Sequence, residues 1–321
     1  MDYGELITRA WHITWNNKFL WVLGFLTALT SVGSNSNSWQ YTFDESDFMN
    51  NPELAAQMGA LAFGLVCVFM IIGLILWLLS IAARGGLIDG VNRIDDGESI
   101  TLGEAFSAGT SAIWRLLGVY FLAYLPLLIL SMVIIGIVIT TVGSAIAMGT
   151  MAQNPEEMMG LVMGSMGLLW LCLCMLICLM IPVGIILTFI AEFGARGAVI
   201  RKLGVTDSLS HGWRIFKDNL GAVLIIWLLM FVIGIIVSVA LGIVMVPLSL
   251  IVFAPMITSA FVDGSMGGVG MAWAIAGGLC LGIFGALFMS VIQTWMSAIW
   301  TLAYKEFTGK SPDLIPAEKL V

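Results

Sequence analysis

Six long apolar runs dominate the sequence and limit what the chain can fold into. They cover residues 19–33, 58–83, 116–147, 161–191, 220–256 and 269–303. A helix needs about 20 residues to cross roughly 30 Å of hydrocarbon. Only helices and closed barrels pair every backbone polar group in that medium, and these runs lack the alternation of barrel strands. The 321 residues are 60% hydrophobic and 10% charged, far from the composition of a soluble domain. We therefore predict an all-α, polytopic membrane protein with six transmembrane helices.

Two of the six runs allow an alternative interpretation. The first run could belong to a signal peptide, but about 18 polar-to-amphipathic residues precede it, including Asp2 and Glu5, instead of a short basic segment. We predict that it is a retained helix. The fifth run, 220–256, either forms one kinked span or contains a re-entrant break near Pro247, because proline disrupts helices.

The basic residues are confined to alternate connecting segments. Segments 34–57, 148–160 and 257–268 contain none of the 13 Lys and Arg residues and carry acidic residues instead. Positively charged short loops remain in the cytoplasm, so we predict a multi-pass protein of the cell membrane, plasma or inner, with both termini cytoplasmic. A net charge of −7 argues against nucleic-acid binding, which requires a basic surface.

A short sequence pattern recurs immediately before spans. The segments "RAWHITWNN" and "HGWRIFKDN" both place a Trp six residues before an Asn. A looser copy begins with "TLGE", where Thr101 and Glu104 predict a capping box and Phe106 takes the Trp position. The segments "ARGGLID" and "ARGAVIR" correspond after the second and fourth spans. Such internal similarity predicts a repeated architecture.

The pattern divides the chain into three units of similar design. We predict a single membrane domain, residues 1–310, made of three pseudo-repeated hairpins, followed by a cytoplasmic tail, residues 311–321. The pseudo-repeats cover residues 1–95, 96–203 and 204–310.

The recurring segments have the amphipathic spacing of helices that lie in the headgroup layer. Leu209, Trp213, Phe216 and Leu220 fall on one apolar stripe, and His211 is expected on the opposite, solvated side. We therefore predict a cytoplasmic interfacial helix before each hairpin, because Trp favours the membrane boundary and Lys or Arg extends towards phosphates. The expected contacts with lipid are Trp11, Lys18, Arg115, Trp213, Arg214 and Lys217.

The repeated "AW…N" helix before a span and the "ARG" segment after one carry a resemblance to known proteins. They resemble a broad group of prokaryotic six-span proteins that is similar to the membrane domain of some glycerophosphodiester phosphodiesterases. In the fused members, catalysis belongs to a separate soluble barrel domain. The resemblance therefore implies a membrane module without phosphodiesterase chemistry, and it supplies no catalytic residue for this chain.

Glu192 is the one carboxylate that lies close to predicted hydrocarbon. An ionisable residue in such a place is a functional hypothesis by default. Arg196 follows at i+4 and offers an ion pair within the helix. We predict an intramembrane ion pair of Glu192 and Arg196, with a role in proton or substrate handling as the alternative.

The fourth span contains Cys172, Cys174 and Cys178, with several Met residues upstream. Soft sulfur ligands suit Cu(I), so handling of copper is a remote alternative. However, neither histidine lies in a span, and buried Cys and Met commonly act as adaptable apolar filler. We expect no metal and no cofactor.

The function expected from these patterns is non-enzymatic. We predict a scaffold or accessory subunit that contacts membrane lipids or protein partners at the cytoplasmic face, because polar sequence concentrates there. The alternative is a transporter or permease for a small or amphipathic solute, which would need polar groups near the middle of the membrane. Few are available: Glu192, Ser290, Gln293 and Thr294. An intramembrane enzyme comes third, since phosphate-loop, zinc and triad signatures are missing from the sequence.

Overall fold

The computed structural model describes residues 2–33, 52–151, 155–262 and 268–309. Within these ranges, every regular element is an α-helix. The helices are α1 (Tyr3–Asn16), α2 (Phe19–Gly33), α3 (Pro52–Asp95), α4 (Leu102–Ser111), α5 (Ile113–Met151), α6 (Pro155–Ile200), α7 (Val205–Asp218), α8 (Leu220–Val262) and α9 (Gly268–Gly309). The prediction of an all-α protein is confirmed for this part of the chain.

Five helices are long and apolar enough to cross a membrane, as expected for a multi-pass membrane protein. They contain the candidate spans Phe63–Asp95, Ile113–Ser144, Leu173–Ile200, Leu220–Pro255 and Ile275–Gly309. These spans correspond to the second to sixth apolar runs. The first run forms α2, which has 15 residues and is shorter than the roughly 20 that a crossing needs. The sixth transmembrane helix therefore stays a prediction.

The long helices are continuous through their prolines. Helix α8 runs without interruption through Pro247 and Pro255, so the run 220–256 contains no re-entrant break. At 1.5 Å per residue, helices of 39 to 46 residues extend over roughly 60–70 Å. Each is about twice as long as the hydrocarbon layer is thick.

The chain forms two compact units, and residues 1–113 and 219–321 make up the first unit. In this unit α2 packs against α3 and α9, α1 packs against α9, and α4 packs against α3. Helices α2 and α9 meet at Gly24, where a side chain would overlap the Ser290 carbonyl and the Thr294 hydroxyl. The Thr294 hydroxyl also donates to the Leu20 carbonyl, 3.2 Å away. Close approach through a small residue is the usual way in which helices associate in lipid.

Residues 114–218 make up the second unit, which contains α5, α6 and the short helix α7. Helix α7 lies against the end of α6, and the rings of Phe189 and Phe216 stack 5.6 Å apart between them. Gly212 of α7 faces the backbone of α6 so closely that a side chain there would overlap the Ile190 carbonyl and the Gly194 amide. The two helices are therefore joined through their backbones.

Candidate functional site

Charged residues of the first unit form a cluster around Asp95, at the end of α3. The Asp95 carboxylate lies 2.6 Å from Arg9 Nη2 and 2.7 Å from Lys305 Nζ. Lys305 Nζ also lies 2.5 Å from the Asp96 carboxylate. We call Arg9, Asp95, Asp96 and Lys305 the Asp95 cluster. It joins α1, α3 and α9, and the Asp95 side chain is only 5% exposed.

A polar cavity of about 380 Å³ opens beside the Asp95 cluster. Its lining includes Asp2, Glu5 and Glu306, in addition to Arg9, Asp95 and Lys305. Asp2 is already engaged as the N-cap of α1, where its carboxylate accepts from the backbone amides of Gly4 and Glu5. The cations of this cavity are held by neighbouring acids, so the arrangement favours joining helices over binding an external charged group.

Four tryptophans of the first unit form a chain of ring contacts. Trp11 packs edge-on against Trp295 of α9, with ring centroids 5.5 Å apart, and stacks on Trp15. Trp15 also contacts Trp21, whose indole Nε1 donates to the Thr14 carbonyl at 2.8 Å. Trp11 is 42% exposed. Half-exposed tryptophans at a helix end are typical of the boundary between hydrocarbon and headgroups.

The buried face of α7 differs from the predicted one. Ser208, His211, Gly212, Ile215 and Phe216 are buried, and the His211 ring lies against Gly197 of α6. The expectation of a solvated His211 was therefore wrong. The small side chains of Ser208 and Gly212 let α7 approach α6, and His211 lies on the same face, one turn before Ile215.

Burial changes the protonation of His211. Together with the nearby positive charges of Arg201 and Arg214, it lowers the pKa of the imidazole to about 4. The ring is therefore neutral at physiological pH, because its charged form is disfavoured by burial and by the two guanidinium groups. A buried neutral histidine in this place is a structural group rather than a general acid.

Cations of the second unit surround the junction of α6 and α7. Arg201 and Lys202 directly follow α6, and Arg214 and Lys217 are exposed on α7. We call these four residues the α6–α7 basic patch. None of them forms an ion pair with a residue in the described part of the chain. Trp213 lies beside Arg214 and is 47% exposed.

The predicted ion pair of Glu192 and Arg196 is present in the second unit. Arg196 Nη1 lies 2.7 Å from the Glu192 carboxylate and donates to the Glu192 backbone carbonyl at the same distance. Arg196 is 1% exposed. Because the guanidinium is so well enclosed, the pair serves to compensate a buried charge at the end of α6.

The residues predicted to contact lipid do not all occupy equivalent places. Trp11, Lys18, Trp213, Arg214 and Lys217 are exposed and remain available for such a contact. By contrast, Arg115 is half-buried, and its Nη1 donates to the Ala198 carbonyl at 3.2 Å. Arg115 therefore fixes the end of α6 to α5 within the second unit.

The structure confirms the capping box predicted at the start of α4. The Thr101 hydroxyl accepts from the Glu104 amide, and the Glu104 carboxylate accepts from the Thr101 amide at 2.9 Å. Hydrogen bonds from Thr101 hold the pKa of Glu104 below its usual value. The start of α4 is therefore fixed by local sequence.

Most of the sequence that forms these helices matches a known protein family. The chain belongs to a family of unknown function, DUF7544. The family's sequence profile matches residues 8–303, from α1 to α9 and across both units. No curated protein and no solved structure matches the chain. The resemblance to the membrane domain of glycerophosphodiester phosphodiesterases stays a prediction.

The family assignment supplies no chemistry, so metal binding must be judged from the side chains. In the described part of the chain, no group of three or more His, Cys, Asp or Glu residues could hold a metal ion. Cys174 and Cys178 are exposed on α6, and the Cys172 side chain lies outside the described residues. Copper handling therefore has no support from these ligands.

Proposed function

We propose that this protein is a non-enzymatic scaffold or accessory subunit embedded in the cell membrane, which contacts lipid or partner proteins through its helix ends. The observation that carries the proposal is where polar groups lie. The four cations of the α6–α7 basic patch have no ion-pair partner in the described part of the chain, and the exposed Trp11, Trp15 and Trp213 lie on the short helices α1 and α7. Within the spans, the polar side chains of Glu192, Ser290 and Thr294 are engaged in contacts inside the protein.

Several polar side chains that a transporter would need within its spans are engaged in other contacts, and this supports the proposed scaffold. Thr294 is buried and bonded to the Leu20 and Ser290 carbonyls, and the Ser290 hydroxyl donates to the Leu287 carbonyl. Glu192 is paired with Arg196. Transport of a polar solute requires such groups to face a cavity near the middle of the membrane. Their engagement in helix packing favours the scaffold.

The proposal includes the topology of six spans in three pseudo-repeats, each preceded by a cytoplasmic interfacial helix. Support comes from buried positions on the three short helices or directly after them, which share a spacing of four and then three residues. These positions are Leu6, Ala10 and Ile13; Ala105, Gly109 and Ala112; and Ser208, Gly212 and Ile215. In this register Thr110, rather than Phe106, occupies the position of Trp11 and Trp213.

The contacts of two short helices support the same topology. Gly109 of α4 lies against the Ala82 carbonyl and the Gly86 amide of α3. Gly212 of α7 lies in the same way against Ile190 and Gly194 of α6. In both cases a glycine of the short helix meets a backbone carbonyl and the amide four residues later. A duplicated helix pair explains two such contacts more simply than two independent origins.

Access of water to the middle of the membrane tests the proposed function. The five native cysteines are replaced by serine, and a single cysteine is introduced as Gln293→Cys or, as an exposed control, Ser99→Cys. For a scaffold, a membrane-impermeant maleimide labels the Ser99→Cys variant in opened proteoliposomes and leaves the Gln293→Cys variant unlabelled there. Equal labelling of both variants would reveal a water path and favour the transporter instead.

The orientation has its own test in the same background. A cysteine introduced as Ser36→Cys is expected to react from outside the cell, and one introduced as Ser99→Cys only after the membrane is opened. The reverse result overturns the cytoplasmic placement of both termini. A photo-crosslinker at Ser107, compared with one at Phe63, then reports whether proteins in native membrane contact α4.

A further inference from the structure

The α6–α7 basic patch is a concentration of positive charge in a chain whose net charge is −7. Arg201, Lys202, Arg214 and Lys217 lack ion-pair partners among the residues that the structure describes. Arg214 and Lys217 lie three residues apart on α7, so their charges repel each other along one helix face. An anionic ligand would relieve this repulsion.

The position of the patch along the chain fixes its depth relative to the spans. The candidate span Leu173–Ile200 ends immediately before Arg201, and the candidate span Leu220–Pro255 begins three residues after Lys217. Two helices therefore enter or leave hydrocarbon at this point. Charged side chains next to a span end lie at the level of lipid phosphates.

Trp213, which lies beside the patch, favours a lipid over a soluble partner as the anionic ligand. Trp213 is 47% exposed and lies one turn before Lys217 on the same side of α7. Its ring contacts Phe216 with centroids 6.0 Å apart, and Phe216 is buried against α6. A half-exposed indole next to cations matches the boundary of acyl chain and headgroup, where Trp is enriched. A soluble acidic partner would not require this combination at a span end.

The other titratable residues of α7 do not neutralise the α6–α7 basic patch. His211 is uncharged, because burial and the positive charges of Arg201 and Arg214 lower its pKa to about 4. Asp207 and Asp218 are the acidic residues on α7, and neither forms an ion pair with the patch. The patch therefore keeps its positive charge.

We infer that the α6–α7 basic patch binds the headgroup phosphate of an anionic phospholipid, with the Trp213 indole beside its glycerol and upper acyl chain. The inference rests on the lipid contact in the proposed function and adds the class of lipid and the site. Arg214 and Lys217, which lie three residues apart on α7, are the groups expected to approach one phosphate. Arginine suits this task because its planar fork matches phosphate oxygens.

Native mass spectrometry of the full chain in nonionic detergent tests the inference. Phosphatidylglycerol and phosphatidylcholine are titrated separately into the wild-type protein and the double variant Arg214→Gln/Lys217→Gln. Each juxtamembrane cation contributes about fivefold to binding at an anionic surface. The double variant is therefore expected to lose about 25-fold in affinity for phosphatidylglycerol, and none for phosphatidylcholine.

Arg93→Gln is the matched control, because Arg93 is a cation of the first unit whose Nε already lies 2.6 Å from the Glu98 carboxylate. Its affinity for phosphatidylglycerol is expected to stay within twofold of wild type. Thermal unfolding without lipid checks that the variants fold, which is expected because both replaced side chains of the double variant are exposed. Trp213→Ala is expected to weaken binding of phosphatidylglycerol without changing its preference over phosphatidylcholine.

Inorganic phosphate distinguishes a lipid headgroup from a free anion. Ten times as much phosphate as lipid is expected to leave phosphatidylglycerol bound. Displacement by phosphate, or equal affinity of the double variant and wild type, overturns the inference. A lipid preference lost in the double variant while the Gln293→Cys variant becomes labelled would overturn the proposed scaffold and leave the lipid site in place.

Discussion

At the helix ends of the first unit, Arg9 and Lys305 share the carboxylate of Asp95. In the second unit, Arg201, Lys202, Arg214 and Lys217 surround a helix junction without an acidic partner among the described residues. The first arrangement uses charge to hold three helices together. The second joins α6 and α7 through a glycine contact and encloses the Glu192–Arg196 pair within α6, and its outer cations have no acidic partner among the described residues. Similar residue types therefore serve cohesion in one unit and, in our proposal, an external ligand in the other.

The largest effect is expected from breaking the enclosed pair of the second unit. Glu192→Gln leaves the buried Arg196 guanidinium without a countercharge and is expected to lower the free energy of unfolding by about 4 kcal/mol. The measurement is unfolding by SDS titration in mixed micelles. The double variant Glu192→Gln/Arg196→Met is expected to recover part of the loss, because it also removes the stranded charge. A double variant less stable than Glu192→Gln would show that Arg196 has another essential contact.

In both units a glycine of a short helix contacts the backbone of a long helix, so the same substitution can be compared in the two units. Gly109→Val and Gly212→Val place a side chain against backbone atoms and are each expected to cost about 3 kcal/mol, because a backbone cannot yield as a side chain can. Gly103→Val is the control, since Gly103 lies in α4 with open space around it. Thermal unfolding in detergent measures all three. Equal melting temperatures would contradict the close helix approach.

Acid is expected to destabilise the second unit through His211. The ordinary pKa of 6.5 is lowered to about 4 in the folded protein, so between these values the unfolded chain binds the additional proton. Stability is therefore present above about pH 6.5 and falls as the pH decreases towards 4. From pH 7.5 to pH 5, the loss due to His211 is about 2 kcal/mol. The difference in pH dependence between wild type and His211→Gln measures it, with exposed His12→Gln as the control. A parallel pH dependence in wild type and His211→Gln would contradict the burial of His211.

A smaller loss is expected from the Asp95 cluster, because its cations are partly hydrated. Asp95→Asn is expected to cost about 1.5 kcal/mol, since Arg9 and Lys305 can turn towards water. Asp96→Asn is the comparison, because its side chain is 53% exposed, and it is expected to cost less than about 0.5 kcal/mol. Unfolding by SDS titration measures both. Equal losses would show that burial of Asp95 adds nothing to the cluster.

The long apolar helices could be predicted from the sequence, although most of them extend several residues beyond the predicted apolar runs. Continuous apolar runs identified α3, α5, α6, α8 and α9 because hydrocarbon permits few other structures. The capping box identified the start of α4 because its two hydrogen bonds join residues three positions apart. Both signals are local in the sequence, which is why they can be recognised without tertiary structure.

The missed features depend on contacts that local patterns do not encode. The amphipathic pattern of α7 placed His211 in solvent, because the pattern ranks residues by polarity alone. Ser208 and Gly212, four residues apart, were the available signal, since small residues at this spacing let helices meet. The Asp95 cluster had no such signal, because Arg9, Asp95 and Lys305 are brought together only by the packing of α1, α3 and α9.

The docking of α1 on α9 has a consequence for the order in which the protein is made. The ribosome synthesises α1 first and α9 last, yet Trp11 rests on Trp295 and Arg9 shares Asp95 with Lys305. Almost 300 residues must therefore be synthesised after α1 before the surface of α9 on which it packs exists. By contrast, α7 follows its partner α6 directly and can dock as it emerges. A chain stopped before α9 would lack Trp295 and Lys305, the partners of Trp11 and Asp95 on that helix.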